Sequence, residues 1–151
     1  MKIALASDHA GYALKEAVKR HLEGRADEAT DFGASCEEPC DYPDFGEAAA
    51  RAVAAGEAER GVLVCGSGQG MCMVANKVAG VRAALAWNAE IARLSRLHND
   101  ANVLCLPARF VSERDALAIV DEWLATAFEG GRHARRVEKL MRTEEVERWQ
   151  D

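Results

Sequence analysis

The chain has 151 residues, enough for one domain and short for two. Nineteen basic against 25 acidic residues give a net charge of −6, which excludes a general nucleic-acid or anionic-membrane surface, since both need a basic field. Hydrophobic residues make up 49% and charged residues 29%, an ordinary globular balance that can support a core.

The run Ile3 to Ala6 reads as a short buried strand. Ser7, Asp8 and His9 end it far short of a signal-peptide core. From Ala10 the apolar spacing becomes helical, through Ala13, Leu14, Ala17, Val18 and Leu22, with Gly24 as the stop. Ala29 to Phe32 reads as a second strand, ended by Gly33. Ala34 to Asp44 is polar, holds Pro39 and Pro43, and reads as a surface loop. Phe45 to Ala55 is Ala-rich and helical. Gly61 to Cys65 has the continuous apolar character of a strand buried on both faces. It runs into Gly66-Ser67-Gly68-Gln69-Gly70, and a helical stretch follows to Val78. Val81 to Trp87 is a fourth strand candidate, and Asn88 can cap a helix to His98. Val103 to Leu106 is a fifth strand. Ser112-x-x-Asp115 opens a helix with Leu117, Val120, Trp123, Leu124 and Ala127 on one face. Gly130-Gly131 breaks it, and a charged helix starts at about His133.

Strands alternating with helices predict a parallel sheet covered on both faces, built as a single domain over residues 1–151. Ligands in such sheets sit at the carboxyl ends of the strands. Asp8 and His9, the glycine loop, and Arg109 occupy those ends. No run approaches the roughly 20 apolar residues of a membrane span. Five cysteines, an odd number, argue against a disulfide framework and for a cytoplasmic protein with reduced thiols.

The glycine loop fails three familiar phosphate-loop patterns. A dinucleotide fingerprint needs Gly where Met71 stands. A P-loop needs Lys directly after the glycines, and the first Lys beyond them is Lys77. A Cys-phosphatase loop needs Arg where Met71 stands. Cys65 lies where strand gives way to loop, and a helix N-terminus favours a thiolate. A buried structural Cys would fit the same position. Cys36 and Cys40 lack a second Cys or His pair at metal spacing, so no metal site is expected there. Cys72 and Cys105 lie in apolar surroundings and read as core, and His21 reads as surface.

His98 shares a helical stripe with Ile91 and Leu94, as a core histidine would, yet Asn99 and Asp100 follow it at a helix end. Five of the nineteen basic residues fall at positions 132, 135, 136, 139 and 142. A solvated face accounts for such a run. Arg132 and Arg136 nevertheless share one face, and two guanidinium forks suit a phosphate, with Arg109 as a third.

Six segments taken together resemble the ribose 5-phosphate isomerase type B family, which also holds galactose 6-phosphate isomerase subunits. They are Ser-Asp-His-Ala-Gly at 7–11, Asp-Tyr-Pro at 41–43, Cys-Gly-Ser-Gly-Gln-Gly at 65–70, and Ala-Asn-Lys at 75–77. Leu-Ser-Arg-Leu-His-Asn-Asp-Ala-Asn at 94–102 and Glu-Gly-Gly-Arg-His-Ala-Arg-Arg-Val at 129–137 complete the set. The resemblance implies an α/β, three-layer Rossmann-like sandwich with a five-stranded parallel sheet, helices on both faces and an extended C-terminal helix. It implies no metal, no cofactor, and a homodimer or dimer of dimers with active sites shared at the subunit interface. It implies interconversion of ribose 5-phosphate and ribulose 5-phosphate through ring opening and a 1,2-enediolate. Cys65 matches the base and Ser67 a proton-shuttling hydroxyl. The amides of Gly66, Ser67, Gly68, Gln69 and Gly70 match the enediolate-stabilising loop. His98 matches the ring-opening group. Asp8, Tyr42 and Asn99 match sugar contacts, and His9, Arg109, Arg132 and Arg136 match the phosphate site. One branch of the family carries Glu where Met71 stands, so this chain falls in the Cys branch. An isomerase of a six-carbon sugar phosphate, such as allose 6-phosphate or galactose 6-phosphate, is the alternative. A non-catalytic sugar-phosphate sensor is a further one, and it would need neither Cys65 nor His98.

Overall fold

The computed structural model describes residues 1–147. In chain order its elements are β1 (Lys2–Ser7), α1 (Tyr12–Gly24), β2 (Glu28–Asp31), α2 (Tyr42–Ala54), β3 (Arg60–Cys65) and α3 (Gln69–Ala75). There follow β4 (Ala83–Leu85), α4 (Ala89–Asn99), β5 (Val103–Pro107), α5 (Glu113–Ala125) and α6 (Arg132–Glu147). The five strands pair in the order β2-β1-β3-β5-β4, all parallel. The expected α/β sandwich with helices on both faces and a C-terminal helix is the observed architecture.

Strand alternation sorts the core into two layers. Ile3, Leu5, Val62, Val64, Leu104 and Leu106 face one way, against Leu14 and Val18 of α1 and Ile119 and Trp123 of α5. Ala4, Ala6, Leu63, Cys65, Val103 and Cys105 face the other, against α2 and α3. Both layers are apolar because both faces of a parallel sheet are covered. Cys65 therefore points toward the α2/α3 layer.

Connections from β1 run outward to β2, whereas β3 lies on the other side of β1. The carboxyl ends of β1 and β3 thus flank a topological switch point, where open α/β sheets leave a crevice.

Several predicted boundaries move: α1 starts at Tyr12 and not Ala10, and α3 ends at Ala75 and not Val78. Helix α2 begins at Tyr42 rather than Phe45, because Pro43 sits in the first turn, where its missing N–H costs nothing. Strand β4 is only Ala83–Leu85, since it pairs with β5 alone at the sheet edge. The predicted caps hold: Asn88 Oδ1 accepts from the Ile91 amide at 2.8 Å and Ser112 Oγ from the Asp115 amide at 3.0 Å.

Candidate active site

Asp8 and His9 follow β1 directly. The buried Asp8 carboxylate accepts the Gly11 amide at 2.9 Å, which closes the turn into α1. The Asp8 amide donates to the Val64 carbonyl at 3.2 Å, tying that turn to β3. His9 Nδ1 accepts the Cys40 amide at 3.3 Å. In the neutral ring this leaves the proton on Nε2, which can then serve as a donor.

Cys65 ends β3 with 5% of its surface exposed. Its carbonyl accepts the Ala108 amide at 2.9 Å, and the Gly66 carbonyl accepts the Arg109 amide at 3.0 Å. The turn after β5 is thereby fastened to the glycine loop. The Arg109 guanidinium lies over Gly66, where a Cβ would sit 3.3 Å from Cζ. The Tyr42 ring covers Gly70. Ser67 Oγ accepts the Gln69 amide at 3.4 Å.

These groups surround a cavity of about 460 Å3. Eight of the residues singled out in the sequence line it: Asp8, His9, Tyr42, Cys65, Gly66, Ser67, Gly70 and Arg109. Ala10 and Phe110 complete the wall, and neither was singled out. Phe110 is 74% exposed and, with Trp87 and Leu85, continues into an apolar groove that Gln69 and Ser67 also border. Gly68 lies between, with a φ of +74. The cavity offers one thiol, the hydroxyls of Ser67 and Tyr42, a row of loop amides and a guanidinium. That set can abstract a proton beside a carbonyl, stabilise an oxyanion and hold an anionic tail.

The remaining site candidates lie elsewhere in the same chain. Asn99 borders a second cavity, of about 410 Å3, beside Arg82 and Met141. Arg132 and Arg136 are exposed on α6. His98 is not core: its side chain is 39% exposed, and its ring stacks on His133 at a centroid distance of 4.2 Å. Glu129 Oε2 lies 3.2 Å from His133 Nε2 and 3.9 Å from His98 Nε2. Sequence reading passed over Glu129 and His133, although both sit in the segment 129–137 that carried the resemblance. Burial first, then the neighbouring His98, hold His133 below the ordinary imidazole value, with Glu129 opposing them.

Of the two thiols read as core, Cys105 is fully buried and burial pushes its thiol well up. Cys72 is only partly buried, and a hydrogen bond with Cys105 draws its thiol down to about 7. His21, read as surface, pairs with Asp121 at 2.7 Å.

Residues 3–140 match the family model described as Ribose/Galactose Isomerase. Ribose-5-phosphate isomerase B of Escherichia coli is 44% identical over 144 residues, covering 95% of this chain and 97% of that protein. A probable ribose-5-phosphate isomerase B of Mycoplasma pneumoniae is 46% identical over 140 residues, covering 92% of each. Among solved structures, ribose-5-phosphate isomerase B of Clostridium thermocellum superposes with a TM-score of 0.96 at 50% identity, over 97% of this chain and 99% of that one. The enzyme of Mycoplasma genitalium, solved with bound ribulose 5-phosphate, gives 0.92 at 44% identity, over 95% and 96%.

Proposed function

Since this chain belongs to the ribose/galactose isomerase family, we propose that it interconverts ribose 5-phosphate and ribulose 5-phosphate. The observation that carries this reading is the thiol of Cys65 at the end of β3, opening on a cavity ringed by loop amides and Arg109.

The chemistry needs a base that moves one proton between C2 and C1. As thiolate, Cys65 takes the C2 proton of the open-chain aldose, and the electrons flow onto O1 to give the enediolate. Amides of the loop from Gly66 to Gly70 meet the developing negative charge without reorganising. The proton then returns to C1, and the C2 hydroxyl loses its proton as C2 becomes the ketone. Ser67 is placed at the cavity wall to shuttle protons between the sugar oxygens. Asp8 and Tyr42 contact the sugar. His9 Nε2 and Arg109 grip the phosphate.

Ring opening precedes this transfer for the closed aldose, and His98 is the group assigned to it. Within one chain His98, Asn99, Arg132 and Arg136 do not line the Cys65 cavity. A second copy of the chain would bring them there, so the working form is a homodimer with sites at the subunit interface. The exposed Trp87 and Phe110 beside the cavity suit burial in such a contact. No described helix is long and apolar enough to cross a membrane. The five cysteines are free, which fits the reducing cytoplasm.

Measuring kcat/KM on ribose 5-phosphate, allose 6-phosphate and galactose 6-phosphate tests the substrate. The five-carbon sugar should be preferred. A higher value on either six-carbon sugar would replace the reading with the alternative isomerase. Turnover of none would leave only a sugar-phosphate sensor.

A further inference from the structure

Resting on the ring-opening role of His98, we propose that His133 and Glu129 are positioning residues for it. His98 stands on the last turn of α4 with a side chain 39% exposed, where an imidazole alone would sample several rotamers. His133, at the start of α6, covers one face of that ring at 4.2 Å and an interplanar angle of 13°. The His133 side chain is only 6% exposed, and its Nε2 is buried without a hydrogen-bond partner. A packing role alone would favour an apolar ring there, because an orphaned buried nitrogen is destabilising. Among the described residues the acidic oxygen beside it, Glu129 Oε2 at 3.2 Å, lies off the line of a hydrogen bond and also 3.9 Å from His98 Nε2.

A shared metal ion does not explain the trio. Lone pairs lie in the ring planes, and near-parallel rings aim them side by side instead of at one point. A division of charge does. Burial and the nearby His98, against Glu129 and helped by Arg132 and Arg136, lower the proton affinity of His133 and so favour its neutral ring. Ring opening makes His98 take the O1 proton, form the C1=O1 carbonyl as the C1–O4 bond breaks, and return that proton to O4. During the step His98 is a cation, and among the described residues the carboxylate beside it is that of Glu129. Thus the Nε2 dipole of a neutral His133, 3.2 Å from the Glu129 carboxylate though off the line of a hydrogen bond, draws that carboxylate in, and the carboxylate steadies and orients His98.

Ribulose 5-phosphate separates this role from the enediolate step. Its O5 carries the phosphate, so it cannot close a furanose ring. Solvent deuterium entering its C1 therefore reports Cys65 chemistry without ring opening. The test uses full-length Glu129→Gln, His133→Phe and the double variant, each assayed on ribose 5-phosphate and by C1 exchange. The Phe keeps the stack, and Glu129 is exposed, so both should fold. Each single variant should lose roughly five- to twentyfold in kcat on ribose 5-phosphate, with C1 exchange and KM changed less than threefold. The double variant should fall no further, because both changes remove one interaction. Equal losses in the two assays, a change confined to KM, additive losses, or full activity in His133→Phe would each overturn the proposal. Proton NMR of the four histidines supplies an activity-free reading: Glu129→Gln should move the His98 and His133 ring signals and leave His9 and His21 in place. Unmoved signals would overturn the coupling. Moved signals in a wild-type protein that turns over no pentose phosphate would instead sink the isomerase reading, and with it the ring-opening role.

Discussion

Gly68→Ala separates the oxyanion role of the glycine loop from simple folding. Gly68 has a φ of +74, a left-handed conformation that costs a residue with Cβ about 1–2 kcal/mol. The added Cβ would meet Leu85 Cδ1 at 2.5 Å and the Leu106 carbonyl carbon at 3.1 Å. Leu85 can swing aside, but the β5 backbone at Leu106 cannot. Reduced unfolded-chain entropy returns about 0.4–1 kcal/mol. With about 1–2 kcal/mol for the clash, the net destabilisation is about 2 kcal/mol, a fall in Tm of about 4–8 °C for a chain of this size. Relief of the clash pushes the loop away from β5 and takes its amides with it. Losing one aligned donor costs roughly a hundredfold in kcat. Phosphate contacts at His9 and Arg109 stay put, so KM should change little. Thermal melts and steady-state kinetics check both halves, with Gly24→Ala as control, since nothing lies within 4 Å of a Cβ there. If Gly68→Ala lowers Tm as expected but keeps kcat within threefold, the loop amides do not stabilise the enediolate.

Cys65→Ala should lose about 10²–10⁴-fold in turnover on ribose 5-phosphate and the same in C1 exchange of ribulose 5-phosphate, with binding of the sugar phosphate kept by calorimetry. His98→Asn should lose turnover on ribose 5-phosphate by at least tenfold, roughly, while C1 exchange holds within about threefold; parallel losses would remove it from ring opening. Arg136→Ala should chiefly raise KM, because a phosphate grip acts on ground state and transition state alike. Asp31→Asn should destabilise by about 2–4 kcal/mol in urea melts at neutral pH, since it strips the nearly buried Lys15 of its 2.7 Å partner and leaves Glu16 at 3.3 Å. Burial pushes the Asp31 carboxyl up, but Lys15, the Gly33 amide and Lys19 together bring it below its usual value. Its stabilisation is therefore present above an unfolded carboxyl value of about 3.9 and fades as pH falls through the lower folded value. Wild type should show that acid loss, and Asp31→Asn should lack that part of it.

The sheet and its helices were legible because strand and helix periods differ, and both cores are nearly pure Val, Leu, Ile and Ala. Helix α2 was read as starting late because Pro43 looks like a loop residue until it is seen in a first turn. Half of the candidate site was legible for a topological reason: Cys65 ends a strand, and Asp8, His9 and Arg109 sit just beyond strand ends. Periodicity misplaced His98 because a stripe with Ile91 and Leu94 says which side of a helix a residue is on, not whether that side is still covered at its last turn. His133 and Glu129 were invisible for the opposite reason. Their significance depends on α6 meeting α4, a contact made between segments that no local pattern relates.

The glycine loop explains its own failure to match any familiar phosphate loop. In those loops glycines clear space for a bound phosphate. Here each clears space for a part of the protein. Gly66 makes room for the Arg109 guanidinium, Gly68 for the β5 backbone and Leu85, and Gly70 for the Tyr42 ring, whose Cζ would lie 2.7 Å from a Cβ. The spacing Gly-x-Gly-x-Gly is thus set by three neighbours from β5, the turn after it and the start of α2. On the proposed function, the phosphate would then be held by side chains rather than by the loop: His9 and Arg109, which line the cavity, with Arg132 and Arg136 exposed on α6. The loop amides would be left for the other end of the sugar, where the proposed reaction develops charge beside Cys65. Such a division would need a substrate long enough to span both ends, so on the proposed function the separation of Arg109 from the Cys65 thiol would bear on the sugar's chain length.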